Sequence, residues 1–349
     1  MVTLYVVSNE PYAGKTLTCV VLGTRWRAQG RAVGYLKPLG LASAPGETMD
    51  EDAHFVAEQL GLPAAPSQLC PVLLGPESCA SPGDVRPRIR EAFAAASAGK
   101  EVMLVSGSGS VLSRGALLGL AGVKMAELLD ARALLVARLN DFADLDSILE
   151  AQRLLGARLL GTLLNRVHPN QLDFAYRHAV PCLEREGATV FGVIPDDPVL
   201  HSVSVREIAE QTGATYLAVP EAAEELVENF VVGAMTVESA LRYFRQTPRK
   251  CVITGGDRGD IQLAALETPT KCLLLTGDLR PSQAVLTRAA ELSIPVLLVK
   301  QDTLSAVATI ETMLGAMRLR EPAKARHAME HFARYVQFDA LDAALGLPG

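Results

Sequence analysis

Apolar residues fall in short continuous runs at 2–7, 102–105, 133–137, 159–164 and 189–194, each breaking into polar, Gly or Pro residues. Runs that stay apolar at successive positions mark strands buried on both faces, as in a parallel sheet. Between them the stretches 17–28, 49–60, 85–98, 142–155 and 171–186 predict helices, and 31–35 predicts a further strand closed by Lys37-Pro38. Strands alternating with helices of this length predict an α/β fold, a parallel sheet with helices on both faces. Ligands then gather at the carboxyl ends of the strands. The Gly, Pro and Ser content of 39–48 and 63–87 predicts loops, and the second is long enough to be functional rather than a connector. From Glu225 the pattern restarts, with a helix at 237–244 and strands at 251–253, 273–275 and 294–299. The predicted divisions are a first domain at 1–215, a smaller α/β domain at 216–321, and a helical tail at 322–349 opened by an amphipathic helix at 322–336.

The first strand meets the first helix through Ser8-Asn9-Glu10-Pro11-Tyr12-Ala13-Gly14-Lys15-Thr16. A strand that breaks into a loop ending Gly-Lys-Thr and then opens a helix is the setting of a phosphate-binding P-loop. Backbone N–H groups and the helix N-terminus face the anion, Lys15 reaches the terminal phosphates, and the Thr16 hydroxyl holds Mg²⁺. Asn9, Glu10, Ala13, Gly14 and Leu17 complete the predicted nucleotide contacts. The first glycine of the usual pattern is missing: Asn9 stands at its spacing and Ser8 one residue further out.

Three other positions carry two readings each. Asp50-Glu51-Asp52 opens a helix, where acids either cap the first turn or, as a carboxylate opposite Thr16, supply a magnesium ligand. Lys37 is either a solvated strand-end lysine or a contact for a substrate carboxylate. Asn165, after the 161–164 run, either caps a turn or presents its amide to a base. In the second half an apolar strand, Thr-Gly, Asp, Arg and a helix recur at Thr254, Gly255, Asp257, Arg258 and at Thr276, Gly277, Asp278, Arg280. Two such loops either aim helix N-termini and arginines at a second, anionic ligand, or simply cap helices while the arginines pair with Asp257 and Asp278.

These residues carry a resemblance. Glu10 to Thr16, followed by Arg31-Ala32-Val33-Gly34-Tyr35-Leu36-Lys37-Pro38, resembles the dethiobiotin synthetase-like branch of P-loop proteins, most closely the N-terminal part of the long bacterial phosphate acetyltransferases. Val190-Phe191-Gly192-Val193-Ile194-Pro195-Asp196-Asp197 resembles the same family, and Thr254-Gly255-Gly256-Asp257-Arg258 resembles the DRTGG domain that follows in those enzymes. The resemblance spans roughly 1–321 and implies a P-loop NTPase-type sheet followed by a DRTGG domain. It implies ATP and Mg²⁺ as cofactors, Thr16 and Asp52 as metal ligands, Asn165 on adenine, and Lys37 on a substrate carboxylate. It also implies a homodimer or higher homo-oligomer. At Ser106 the family has a second metal-binding glutamate; a hydroxyl brings no charge, so metal affinity and phosphoryl transfer are expected to be weaker.

Composition narrows the class. The chain has 349 residues, is 49% hydrophobic and carries a net charge of −6, enough for two cores and without the basic surplus of a nucleic-acid binder. Six cysteines are scattered without metal-ligand spacing, six histidines are dispersed with His327 and His331 four apart but no carboxylate motif beside them, and no apolar run nears the ~20 residues of a membrane span. A soluble cytoplasmic protein that begins directly in a strand is expected, with no nucleic-acid or membrane partner. The acetyltransferase domain of the long enzymes is not expected, since no residues remain to build it. Three functions are consistent with this: an ATP/Mg²⁺-binding regulator or sensor; an ATP-dependent ligase like dethiobiotin synthetase, or weak ATPase, with Lys15 and Lys37 catalytic; or a structural partner of a separate phosphate acetyltransferase.

Overall fold

The computed structural model describes residues 1–41, 49–63, 65–75, 83–112, 115–315 and 322–347. By contacts the chain forms two units, Met1–Asp196 with the described part of Arg318–Gly349, and Asp197–Met317.

The first unit is built on a six-stranded sheet, all parallel, in the order Val33–Leu36, Val102–Ser106, Val2–Ser8, Arg132–Arg138, Leu159–Val167, Val190–Pro195. Its strands read as apolar runs because both faces are covered. Tyr5, Val7, Val105, Ala133, Leu135, Ala137 and Leu164 pack with Ile89, Met125, Ile148 and Ala151 from helices on one face. On the opposite face lie the helix Lys15–Ala28 and, beyond it, Pro322–Tyr335 and Phe338–Leu345. Each large aliphatic side chain buried this way contributes roughly 1.5–3 kcal/mol.

The tail is therefore part of the first unit. Its backbone is bonded to the edge strand, with Gln337 N–H donating to Phe191 O at 2.7 Å. Gly192 is what admits it, since a Cβ there would lie 2.4 Å from Tyr335 O. At the other side Trp26, fully buried, donates its Nε1–H to Asp342 at 2.8 Å.

Two local departures from the sequence pattern have physical causes. The stretch 63–87, expected as loop, contains the helix Pro66–Leu69 and the strand Val72–Leu74, which pairs with Leu39–Leu41. A three-residue strand is too short to show a period. The helix expected at 171–186 is broken by a π-helical turn over Ala175–Ala179, just ahead of Pro181. A mid-helix proline lacks an N–H and clashes with the carbonyl four residues back, and a wider turn absorbs both faults.

The second unit holds a five-stranded sheet in the order Thr215–Ala218, Val296–Leu298, Thr270–Thr276, Lys250–Gly255, Asn229–Val232, parallel except for its first strand. Phe244, Ile261, Val285 and Ala289 cover one face, and Val205, Ile208, Ala306 and Ile310 the other. That second layer is why the division falls at 196/197 and not near 215: Val205 and Ile208 pack on Cys251, Ile253, Cys272 and Leu274 of this sheet. The helix Val205–Thr212 that brings them is locked by a capping box between Ser204 and Glu207.

Candidate nucleotide site

The loop 8–16 lies at the carboxyl end of Val2–Ser8, inside the sheet, where the chain turns into Lys15–Ala28. Tyr12 and Gly14 both take left-handed backbone, with φ of 58° and 107°. Glycine is demanded at position 14 twice over, because a Cβ there would meet Asn165 Nδ2 at 2.2 Å. Asn165 reaches the loop from a bulge: the register of Leu159–Val167 shifts after Leu164, and Arg166 takes φ of 57°. The amide of Asn165 then donates to Ala13 O at 2.8 Å, while Arg166 pairs with Asp196 at 3.3 Å.

Lys15 is buried, and its Nζ donates to Ser8 Oγ and to Gly109 O, each at 2.7 Å. Gly109 belongs to the Gly/Ser loop that follows Val102–Ser106. This loop lies along the first one, with Val111 N–H on Ser8 O at 2.8 Å and Ser110 Oγ on Asn9 O at 2.7 Å. Asn9 Nδ2 donates to Ser147 Oγ at 2.9 Å, and Glu10 pairs with Arg138 at 3.2 Å. Ala13 and Leu17 are buried, and Thr16 is half-buried at the first turn.

Lys37 lies between two carboxylates, 2.8 Å from Asp50 and 3.0 Å from Asp52. Asp50 is buried and caps the helix Glu51–Gln59 through Ala53 N–H, also accepting from Leu41 N–H at 3.2 Å. The Asp52 side chain is 44% exposed and so remains open to a ligand. Burial works to lower the Lys37 pKa, but the charges and hydrogen bonds of Asp52 and Asp50 outweigh it and hold the amine above its ordinary value. Ser106 is buried beside Cys19 and Tyr35. Burial pushes the Cys19 thiol up to about 12, against a smaller lowering from Ser106 and from the charges of Lys15 and Lys37. Cys19 also feels Asp52, so Lys15, Lys37 and Asp52 all lie within electrostatic reach of this one thiol.

This donor set suits a magnesium nucleotide: an amine, a hydroxyl and one carboxylate around a loop too tight at Gly14 for any side chain. Magnesium uses one or two carboxylates and takes its other oxygens from phosphate and water. Asp52 offers one, and Ser106 offers none. Sequence reasoning placed Asp50 in an acidic triplet that caps a helix and read 106–110 as a Gly/Ser loop able to approach an anion; it missed Ser147, the pairing of Asp50 with Lys37 and the contact of Gly109 with Lys15.

In the second unit the two echoed loops do come together, for a Cβ at Gly256 would lie 1.7 Å from Leu279 O. Four of their amides, however, bond within the protein. Gly256 N–H donates to Thr276 O at 3.2 Å, Arg258 N–H to Gly255 O at 3.1 Å, Gly277 N–H to Gln301 O at 2.8 Å, and Asp278 N–H to Val299 O at 3.0 Å. Thr254 Oγ1 donates to Gly233 O at 3.1 Å, and Thr276 Oγ1 lies 2.7 Å from Thr303 Oγ1. Arg258 pairs with Asp260 at 3.1 Å, while Asp257 and Arg280 are exposed. No described helix is long and apolar enough to cross a membrane.

Residues 2–204 match the family model described as an AAA domain, and residues 207–313 match the DRTGG domain. A phosphate acetyltransferase of Pseudomonas putida is 28% identical over 307 residues, covering 82% of this chain and 43% of that protein. A phosphate acetyltransferase of Synechocystis is 29% identical over 195 residues, covering 53% of this chain and 27% of its own length. The chain thus spans less than half the length of these curated relatives. Among solved structures, MinD cell division protein of Aquifex aeolicus is similar at 14% identity with a TM-score of 0.35, covering 57% of this chain and 84% of that one.

Proposed function

Since the chain belongs to the AAA domain family, in its P-loop, dethiobiotin synthetase-like form, and carries a DRTGG domain behind it, we propose that it binds ATP with Mg²⁺ and acts as a nucleotide-responsive regulator. The reading rests on the loop 8–16, which wraps a helix N-terminus around the buried Lys15 and leaves no room for a side chain at Gly14. Lys15 takes the terminal phosphates, Thr16 and Asp52 the metal, and Asn9, Glu10, Ala13, Gly14 and Leu17 frame the phosphate chain. Asn165, already against the loop, faces the adenine with its remaining amide groups. With one carboxylate at the metal, slow turnover is expected.

The neutral Ser106 supports a regulator over an enzyme, and so does Lys37. A ligase of the dethiobiotin synthetase kind would set a substrate carboxylate on Lys37, but that amine already lies between Asp50 and Asp52. A substrate would have to displace one of them. The DRTGG unit relays the nucleotide state; a second anionic ligand at Thr254, Gly255, Asp257, Arg258, Thr276, Gly277 and Arg280 would find the amides of Gly256, Arg258, Gly277 and Asp278 already hydrogen-bonded. Relatives named phosphate acetyltransferase make acetyl transfer to phosphate the process it would regulate, as a homo-oligomer or with an enzyme partner.

Calorimetric titration of ATP plus Mg²⁺ into the wild-type protein and Lys15→Ala, with phosphate release followed in the same samples, tests this. Binding without release that is lost in Lys15→Ala is the expected result. Rapid Lys15-dependent release would move the assignment to an enzyme, and binding indifferent to Lys15 would remove it.

A further inference from the structure

We infer that Ser8 sets the resting position of the P-loop lysine, so that the phosphates of a nucleotide must draw Lys15 away from Ser8 and Gly109 before they bind. The inference rests on the nucleotide reading above and concerns the regulation of that same site.

Ser8 occupies the place one residue out from the usual first glycine, and it is fully buried. Its hydroxyl has one hydrogen and two carbonyls to give it to, Glu10 O at 2.6 Å and Gly109 O at 3.1 Å. The oxygen is left to accept from Lys15 Nζ at 2.7 Å. A buried ammonium needs acceptors, and a glycine at this position supplies none from its side chain.

The second acceptor is held in place by the residues that follow it. Ser110 Oγ donates to Asn9 O at 2.7 Å and accepts from Leu112 N–H at 3.1 Å, and Val111 N–H donates to Ser8 O at 2.8 Å. These bonds pin the Gly/Ser loop against the P-loop with the Gly109 carbonyl on the lysine. These two acceptors are neutral, and the charged oxygens of a β- or γ-phosphate form stronger hydrogen bonds to an ammonium than either. They nevertheless bind only the fraction of molecules in which the lysine has let go, and the apparent affinity falls by that fraction. Ser8 is thus a positioning residue that weakens binding of ATP and ADP. It leaves untouched a nucleotide too short to reach Lys15.

The test compares dissociation constants for ATP, ADP and AMP in wild type, Ser8→Ala, Ser8→Thr, Ser110→Ala and Lys15→Ala. Ser8→Ala is expected to bind ATP and ADP about fivefold more tightly with AMP unchanged. Ser8→Thr, which keeps the hydroxyl, stays near wild type, Ser110→Ala shifts in the same direction as Ser8→Ala, and Ser8→Ala adds nothing once Lys15 is alanine. If melting shows that Ser8→Ala has lost its fold, Ser110→Ala carries the test. An unchanged or lowered preference for ATP over AMP in Ser8→Ala and Ser110→Ala, with Lys15 dependence intact, overturns the inference alone. Wild type and Lys15→Ala binding alike overturns the nucleotide reading and the inference with it.

Discussion

A methyl group at Gly14 meets the Asn165 amide and also forces a left-handed backbone on a residue with a Cβ, so Gly14→Ala strains the loop in two independent ways. Nucleotide affinity is expected to fall by at least about tenfold, since the strain is of order 1–3 kcal/mol; equilibrium titration beside Lys15→Ala checks it, and near-wild-type affinity would mean that Asn165 simply turns aside. Asp50 presents a different kind of dependence. It caps a helix and pairs with Lys37 inside the protein, so Asp50→Ala leaves a buried ammonium with Asp52 as its remaining carboxylate and is expected to cost roughly 3–5 kcal/mol in chemical unfolding. Because Lys37 is held above its ordinary value, this pairing stabilises the fold in full below the unfolded value near 10.5. It is lost only as pH rises through the raised folded value.

At the scale of elements, the strands of the first sheet were legible because burial on both faces writes each as an unbroken apolar run. The P-loop was legible because its chemistry needs Gly-Lys-Thr at one junction. What could not be read were contacts between residues far apart in sequence. Gly109 and Ser110 lie in a Gly/Ser stretch with no signature for a partner about a hundred positions away, and the carboxylates at Lys37 separate only when Asp50 turns inward as a cap. The C-terminal stretch was foreseen as an amphipathic helix with a helical tail but not as a layer on the first sheet, since amphipathicity says that a face is covered and not by what. That layer can be followed through the chain's one tryptophan, Trp26, which is buried and bonded to Asp342. Removing the carboxylate in Asp342→Ala also takes a partner from Arg25, 3.6 Å away, and is expected to cost about 1–3 kcal/mol. Tryptophan emission should shift to the red as the helix loosens. An unshifted spectrum with unchanged stability would mean that the tail packs without this contact.

At the scale of the molecule the two units carry separate cores, and each contains a charge whose state can be set from outside: a nucleotide on Lys15 in the first, a proton on Lys250 in the second. Lys250 is fully buried, its amine has no hydrogen-bond partner among the described residues, and its nearest compensation is the Phe244 ring at 5.7 Å. Burial lowers its pKa to about 8. Between about pH 8 and 10.5 the unfolded chain therefore holds a proton that the folded unit does not, so stability rises with pH across that window. Below it the buried charge is a standing cost, which Lys250→Met removes. Scanning calorimetry is accordingly expected to resolve two transitions. Saturating ATP with Mg²⁺, at a hundredfold excess over Kd, should stabilise the first by about 2.7 kcal/mol and move the second far less. Near neutral pH, Lys250→Met should raise only the second, by about 3–8 °C, and the gain should shrink as pH climbs toward about 10.5. A single transition moved as a whole by either change would show instead that the two cores unfold as one, and that a nucleotide at Lys15 reaches the DRTGG unit through stability itself.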